Sequence, residues 1–138
     1  MKYMMILNSD EKTESGATPT EDDLNEMGRY NEQLIKAGVL LAGEGLHSSS
    51  DGSRVEYSGD DRTVIDGPFT ETKELIAGFW IIQVGTKAEA LEWARRIPLK
   101  SGRVEVRQVY DVTEFDQEND FVQQEVRWRE EHGESRTA

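Results

Sequence analysis

The order of apolar and polar residues predicts a β-α-β unit in the first third of the chain. Residues 3–7 are all apolar, which is typical of a strand covered on both faces. Thr18 with Glu21 three residues later predicts a capping box at the start of a helix, and Gly38 predicts its end. A second strand begins directly afterwards, over residues 39–42.

A second β-α-β unit is predicted between residue 77 and residue 109. Residues 77–84 form an apolar strand, and Thr86 with Glu89 predicts a second capping box. Pro98 ends the helix because proline cannot continue it. Residues 103–109 alternate between polar and apolar, which predicts a strand with one covered face.

Between the two units the alternation is short. Residues 54–57 and 63–65 alternate around a Ser-Gly-Asp-Asp turn, which predicts an inserted hairpin. Residues 11–17 are polar and predict a loop. After residue 113, apolar positions among many charges predict an extra C-terminal helix ahead of a frayed tail over residues 134–138.

These elements together predict an α+β domain of the ferredoxin-like, split βαβ type over residues 1–112, with residues 113–138 as a helical extension. In this arrangement two helices cover one face of an antiparallel sheet. The other face needs a cover, so we expect a homodimer that resembles an α+β barrel.

Composition narrows the classes of function. The chain has 138 residues, 36% of them hydrophobic, which suits one small domain. The net charge of −12 would repel phosphate groups, so we expect neither nucleic acid nor a membrane surface as a partner. With no cysteine, no secretory leader pattern and no long apolar stretch, a cytoplasmic protein is predicted.

The segment from Asp66 to Glu74 combines a rigid Gly-Pro turn with several ionisable groups. Asp66 could act as a general base, although an Asp before Gly also caps turns, and we favour that structural role. Lys73 could stabilise an enolate while Glu74 or Glu71 moves a proton. A cluster of charges paired in solvent is an equally good explanation.

Further candidate ligand contacts are Glu44, which lies between two glycines, Phe69 in the same turn, and Arg107 on the last strand. A hydrated loop residue and a cross-strand ion pair are the structural alternatives for Glu44 and Arg107. Glu44 and His47 have a Glu-x-x-His spacing, but at a strand end this spacing does not bring both groups to one side. We therefore predict no metal site, and without a phosphate-binding loop no cofactor.

Several segments resemble the DGPF group of the YCII-related proteins. The most specific segment is Asp-Gly-Pro-Phe-Thr-Glu-Thr-Lys-Glu over residues 66–74. The other matching segments are residues 1–4, 37–46, 78–79, 89–94 and 102–107. The resemblance implies a ferredoxin-like dimer with a cleft between the sheet and the first helix. Part of the wider family carries a His on that helix, proposed to form a dyad with an Asp. This position falls near Met27, so the dyad is not expected here.

Two functional hypotheses follow from the residues and the resemblance. The first is a cofactor-independent enzyme, an isomerase or lyase, that transfers a proton on a small organic molecule through Asp66, Lys73 and Glu74. The second is a non-catalytic module that binds a small molecule or has a regulatory role, in association with an extracytoplasmic-function sigma factor.

Overall fold

The computed structural model describes residues 1–133, which form six strands and four helices. The strands are β1 (Lys2–Asn8), β2 (Leu40–Gly45), β3 (Ser53–Ser58), β4 (Asp61–Asp66), β5 (Ile76–Gln83) and β6 (Val104–Gln108). The helices are α1 (Glu11–Glu14), α2 (Glu21–Lys36), α3 (Lys87–Arg95) and α4 (Asp120–His132). Short 3₁₀ turns cover Ser49–Asp51, Thr72–Glu74 and Val112–Glu114.

Four strands form one antiparallel sheet in the order β2-β5-β1-β6, and β3 pairs only with β4. This order, with a helix after the first and third sheet strands, is the ferredoxin-like arrangement of a split βαβ fold. The predicted α+β class, the inserted hairpin and the extra C-terminal helix are all confirmed.

The core lies between the sheet and helices α2 and α3. Tyr30 of α2 lies in this core. The Tyr30 ring packs edge-on against the rings of Trp80 and Trp93, with centroid distances of 5.9 Å and 6.5 Å. The Tyr30 hydroxyl donates a hydrogen bond to the Trp93 carbonyl oxygen at 2.7 Å. The buried apolar residues are Tyr3, Met5, Tyr30, Leu34, Trp80, Ile82, Val84, Ala90 and Ile97.

The start of α2 differs from the prediction. Thr20, not Thr18, is the N-cap, and it exchanges hydrogen bonds with Asp23 rather than Glu21. The sequence offers both pairs at the same spacing, and the chain uses the later one. The predicted start at Thr86 is confirmed, because its hydroxyl accepts a hydrogen bond from the Glu89 backbone N–H.

Two further details correct the sequence prediction, and a third concerns the sheet face that a second copy is expected to cover. The predicted loop over residues 11–17 contains α1, which begins at the Asp10 cap. By helical spacing Leu24 and Ile35 share the apolar side of α2 with Met27 and Leu34, yet both are exposed. Strand β1 is buried on one face only, since Met4 and Ile6 remain half-exposed within this chain. Met4 and Ile6 lie on the sheet face opposite the helices.

The hairpin and the C-terminal helix are the most open parts of the molecule. All residues of β3 and β4 are exposed. On α4, Val122 and Val126 are half-buried, whereas Phe121 is 79% exposed. The predicted tail over 134–138 lies outside the described residues. Among residues 1–133, no helix is long and apolar enough to cross a membrane.

Candidate functional site

A pocket of about 320 Å³ lies between α2 and the edge of the sheet formed by β2 and β5. Helix α2 contributes Met27, Asn31 and Ile35 to its wall. Met27 falls near the position at which part of the resembled family carries His. The remaining lining residues are Leu7, Leu40, Gly43, Glu44, Gly45, Ala77, Gly78, Phe79 and Trp80.

Glycines on the helix-facing side of β2 and β5 leave the space that the pocket occupies. Gly45 pairs with Gly78, and Gly43 pairs with Trp80, so all of these positions face α2. A Cβ atom at Gly45 would meet nothing within 4 Å. A Cβ at Gly78 would come within 2.7 Å of the Glu44 carbonyl oxygen, so Gly78 also permits close packing of the strands.

The polar feature of the pocket wall is a hydrogen bond between two side chains. The indole Nε1 of Trp80 donates to the Asn31 Oδ1 atom at 2.9 Å. Because an indole N–H can only donate, the Asn31 amide must present its oxygen to Trp80 and its Nδ2 group away from it. Within residues 1–133, Asn31 Nδ2 donates to no protein acceptor. The pocket wall therefore carries an amide with free donors.

Glu44 borders this pocket and is exposed. It pairs with Phe79, so strand alternation directs its side chain toward the sheet face opposite α2. Of the pocket-lining residues within the described chain, Glu44 alone has a charged side-chain type. Its carboxylate stands at the edge of the sheet, beside the pocket rather than in its centre.

The Asp66–Gly67–Pro68–Phe69 turn is held by local contacts. The Ser53 hydroxyl donates to the Asp66 carboxylate at 2.7 Å, and the Gly67 N–H donates to the Gly52 carbonyl oxygen at 2.9 Å. A Cβ atom at Gly67 would overlap the carbonyl oxygen of Ser49, so the position requires glycine. The Gly67–Pro68 peptide bond is cis.

Ser49 connects this turn to α1. The Phe69 backbone N–H donates to the Ser49 hydroxyl oxygen at 2.9 Å, and that hydroxyl donates to the Glu14 carboxylate at 2.6 Å. The Ser49 N–H donates to the same carboxylate at 2.9 Å. The Phe69 ring lies under the Arg54 guanidinium, 3.8 Å from its carbon to the ring centroid. The polar groups around Phe69 thus bind one another.

The ionisable residues after this turn, Glu71, Lys73 and Glu74, are exposed. The Lys73 backbone carbonyl accepts hydrogen bonds from Arg103 at 3.1 Å and from Asn8 at 3.4 Å, which ties the segment to the sheet. None of the three side chains lines the pocket beside α2. Their catalytic role stays a prediction.

Arg107 lies on β6, at the sheet edge opposite β2, and forms an ion pair with Glu105 at 3.1 Å on the face away from the helices. The structure therefore distributes the candidate residues over three places: Glu44 beside the pocket, Asp66 to Glu74 in the turn, and Arg107 on the far edge.

Asn31 and Trp80 were not among the sequence candidates. The signal that could have indicated them is the glycine pattern of positions 43, 45 and 78.

Metal ligands do not cluster in the described part of the chain, where no group of three His, Cys, Asp or Glu side chains could hold an ion. His47 binds Asp51 at 3.0 Å between exposed side chains, rather than Glu44.

Comparison with protein families adds the relationship to known sequences. The model of the YCII-related domain matches residues 1–115, most of the chain. The chain belongs to the YCII-related domain family. An uncharacterised protein of Rhizobium meliloti strain 1021 is 30% identical over 97 residues, which are 69% of this chain and 78% of that protein.

Comparison with solved structures found a protein whose backbone superposes on most of this chain. It is a 5-chloro-2-hydroxyhydroquinone dehydrochlorinase from Burkholderia phenoliruptrix AC1100, in complex with 2,5-dihydroxybenzoquinone. The match has a TM-score of 0.43 and 11% sequence identity, and covers 84% of this YCII-related chain and 100% of the other.

Proposed function

We propose that this protein, a cytoplasmic member of the DGPF group within the YCII-related family, binds a small and mainly apolar organic molecule between α2 and the sheet. The observation that supports the proposal is the pocket of about 320 Å³ whose glycine positions face α2. This volume lies at the lower end of the range of small-molecule sites, roughly 300–1,000 Å³. A molecule of one or two fused rings fits such a space.

The pocket walls favour an apolar ligand. Met27, Ile35, Leu40 and Leu7 supply aliphatic or thioether surface, and Trp80 supplies an aromatic edge. Each apolar contact that a ligand makes there removes surface from water on both sides. The acidic surface, with a net charge of −12, disfavours a strongly anionic ligand.

Substitution of Gly45 tests this proposal. Gly45→Leu places a side chain where a Cβ meets nothing within 4 Å, so the strand should tolerate it while the pocket fills. Gly28→Leu is the matched control, because Gly28 on α2 also has open space and does not line the pocket. We expect Gly45→Leu to weaken binding of indane and 1-indanone at least about ten-fold, or ~1.4 kcal/mol.

Binding is measured by titrating each probe into ¹⁵N-labelled protein and following the backbone N–H signals of the pocket residues. In variants that keep Trp80, its indole N–H signal, assigned with a Trp80→Phe variant, is followed as well. Equal binding by Gly45→Leu and the wild type would show that the probes bind elsewhere. Absence of binding of both probes to the wild type would contradict the proposed ligand class.

A second candidate function is cofactor-independent proton transfer of the isomerase or lyase type. The observation that favours it is Glu44, the ionisable residue that borders the pocket. Glu44 lies near the end of the edge strand β2 with its side chain directed to the other sheet face, so catalysis requires its carboxylate to turn around this edge toward the bound ketone. There it can accept a proton from the carbon next to the carbonyl. We expect the wild type to accelerate deuterium exchange from solvent into 1-indanone, and Glu44→Gln to lose this acceleration while still binding the probe. Equal exchange by both would exclude Glu44.

The catalytic hypothesis for Asp66, Lys73 and Glu74 receives less support, because the turn contacts account for Asp66 and all three side chains lie outside the pocket lining. Association with a sigma factor stays a prediction from the resemblance. Its test is whether the purified protein retains a sigma factor encoded beside it.

We also propose a homodimer formed through the sheet face opposite the helices. The half-exposed apolar residues of this face are Met4, Ile6, Phe79 and Ile81. Glu44 lies at one edge of the face and Arg107 at the other, so a two-fold axis parallel to the strands would set opposite charges of two copies against each other. Ile6→Asp should yield a monomer in sedimentation, whereas Leu24→Asp, on an exposed position of α2, should not. A monomeric wild type would contradict this proposal.

A further inference from the structure

We propose that Asn31, positioned by Trp80, selects the ligand of the pocket and that the ligand class is a ring-sized apolar molecule with an acceptor oxygen, such as a ketone or a phenol. This inference rests on the proposed function, since it names the ligand class of the same pocket. It adds a specificity-determining residue, Asn31, and a positioning residue, Trp80.

The first step is the orientation of the amide. The indole N–H of Trp80 is a donor without acceptor capacity, and it meets the Asn31 Oδ1 atom at 2.9 Å. Trp80 itself is 7% exposed and its ring packs edge-on against Tyr30. Because this packing holds the indole, the amide cannot rotate without losing the bond. Asn31 therefore presents Nδ2 as a donor.

The second step is the demand for an acceptor. Asn31 is half-buried on α2 and lines the pocket, and its Nδ2 donates to no protein acceptor among residues 1–133. In the open pocket this group is accessible to water. A ligand that displaces water without replacing its hydrogen bond leaves a desolvated donor and therefore binds more weakly. A ligand with a well-placed oxygen avoids this loss.

The third step excludes other polar ligands. An ammonium group is a donor only, so it cannot accept a hydrogen bond from the Asn31 N–H groups. Since Oδ1 already binds Trp80, the amide oxygen is a weaker partner for such a ligand. Apart from Glu44, whose side chain is directed to the other sheet face, the remaining wall consists of glycines and apolar side chains and offers little to a second polar group. One acceptor oxygen on an apolar ring is the chemistry that fits.

The test compares indane with 1-indanone, which has almost the same shape and adds one ketone oxygen. The measured quantity is the ratio of their dissociation constants, indane over 1-indanone, and its change between variants. This change cancels the different solubility of the two probes in water. Asn31→Asp is the main variant, because a carboxylate of the same shape still accepts from Trp80 Nε1 but has no N–H donor.

We expect the ratio to fall at least ten-fold from the wild type to Asn31→Asp, chiefly through weaker binding of 1-indanone. The double variant Asn31→Leu with Trp80→Phe removes both partners, leaves no unpaired polar group in the wall, and should show the same loss of preference. An unchanged ratio in a folded variant would overturn the inference while leaving the proposed pocket intact.

Trp80→Phe alone tests positioning. It releases the amide from its hydrogen bond but keeps Asn31, so we expect a partial fall of the ratio with both probes still bound. A ratio equal to that of the wild type would show that Trp80 does not orient the amide. If neither probe binds the wild-type protein, the proposed function itself fails, a result distinct from an unchanged ratio.

Discussion

The pocket beside α2 and the Asp66–Phe69 turn both depend on glycine, with opposite results. At Gly45 the missing side chain leaves open space beside a wall of apolar residues. At Gly67 the missing side chain lets the backbone of Ser49 approach, and no space remains. A glycine next to ionisable residues can thus indicate a tight backbone packing contact as well as a ligand-binding site.

The polar groups of the two regions differ in the same way. In the turn, Asp66 binds Ser53, and Ser49 binds both Glu14 and the Phe69 backbone. In the pocket, the Asn31 amide is held on its oxygen side, and its N–H groups donate to no acceptor within residues 1–133. Asp66, Ser49 and Glu14 thus bind neighbouring groups, whereas the neutral Asn31 keeps capacity for a ligand.

The largest stability effect is expected at the turn. Gly67→Ala forces a Cβ against the Ser49 carbonyl oxygen, so the turn must move, and overpacking of this kind costs about 2–3 kcal/mol. The measurement is the free energy of unfolding in urea. Gly59→Asn is the control, because Gly59 has φ +58° with open space around it, and Asn tolerates that conformation. A loss below about 1 kcal/mol in Gly67→Ala would contradict the close contact.

A medium effect is expected behind the pocket. Tyr30→Phe removes the hydroxyl that donates to the Trp93 carbonyl at 2.7 Å, at a cost of about 1 kcal/mol near neutral pH. Burial raises the pKa of Tyr30 above its ordinary value of 10.0, while the Arg96 charge opposes the shift. The unfolded chain therefore ionises first as the pH rises, and the stabilisation by the hydroxyl is lost above about pH 10.

The measurement is the difference in unfolding free energy between the wild type and Tyr30→Phe at pH 8 and at pH 11. We expect the difference to shrink or change sign at the higher pH. Tyr110→Phe, at a position that is 70% exposed, should show no such change and serves as the control. A difference independent of pH would contradict the buried, protonated state of Tyr30.

The smallest effect is expected for Asp66→Ala. Within residues 1–133 its carboxylate accepts one hydrogen bond, from the exposed Ser53 hydroxyl at 2.7 Å, so removal should cost about 0.5–1 kcal/mol. Binding of 1-indanone to the pocket should stay within two-fold of the wild type, since Asp66 does not line it. Loss of binding or of deuterium exchange in a folded Asp66→Ala variant would restore the catalytic hypothesis for this turn.

Much of the fold could be predicted because periodicity and local signals agree. The alternation around Ser-Gly-Asp-Asp predicted the β3–β4 hairpin, and Thr86 predicted the start of α3. The start of α2 was missed by two residues, because Thr18 and Thr20 each precede an acidic residue by three positions. Only backbone geometry distinguishes two such caps.

The candidate site was harder to predict, because a pocket is a relation between elements that are distant in the chain. Asn31 and Trp80 are 49 positions apart, and neither carries a sequence signal of its own. Glu44 was identified from its flanking glycines and does border the pocket. Asp66 attracted attention as a charged residue near a turn, where its hydrogen bond with Ser53 gives it a structural role. The Lys73 side chain is exposed, and its role stays a prediction.

The sequence by itself determined the class of fold, because strand and helix periods, caps and turn residues act over a few positions. It also determined the strongly acidic charge and the absence of cysteine. Tertiary structure alone decided which glycine leaves space and which one closes it, and which amide keeps a free donor. Those outcomes depend on which distant parts of the chain pack against each residue, and local sequence patterns do not specify these contacts.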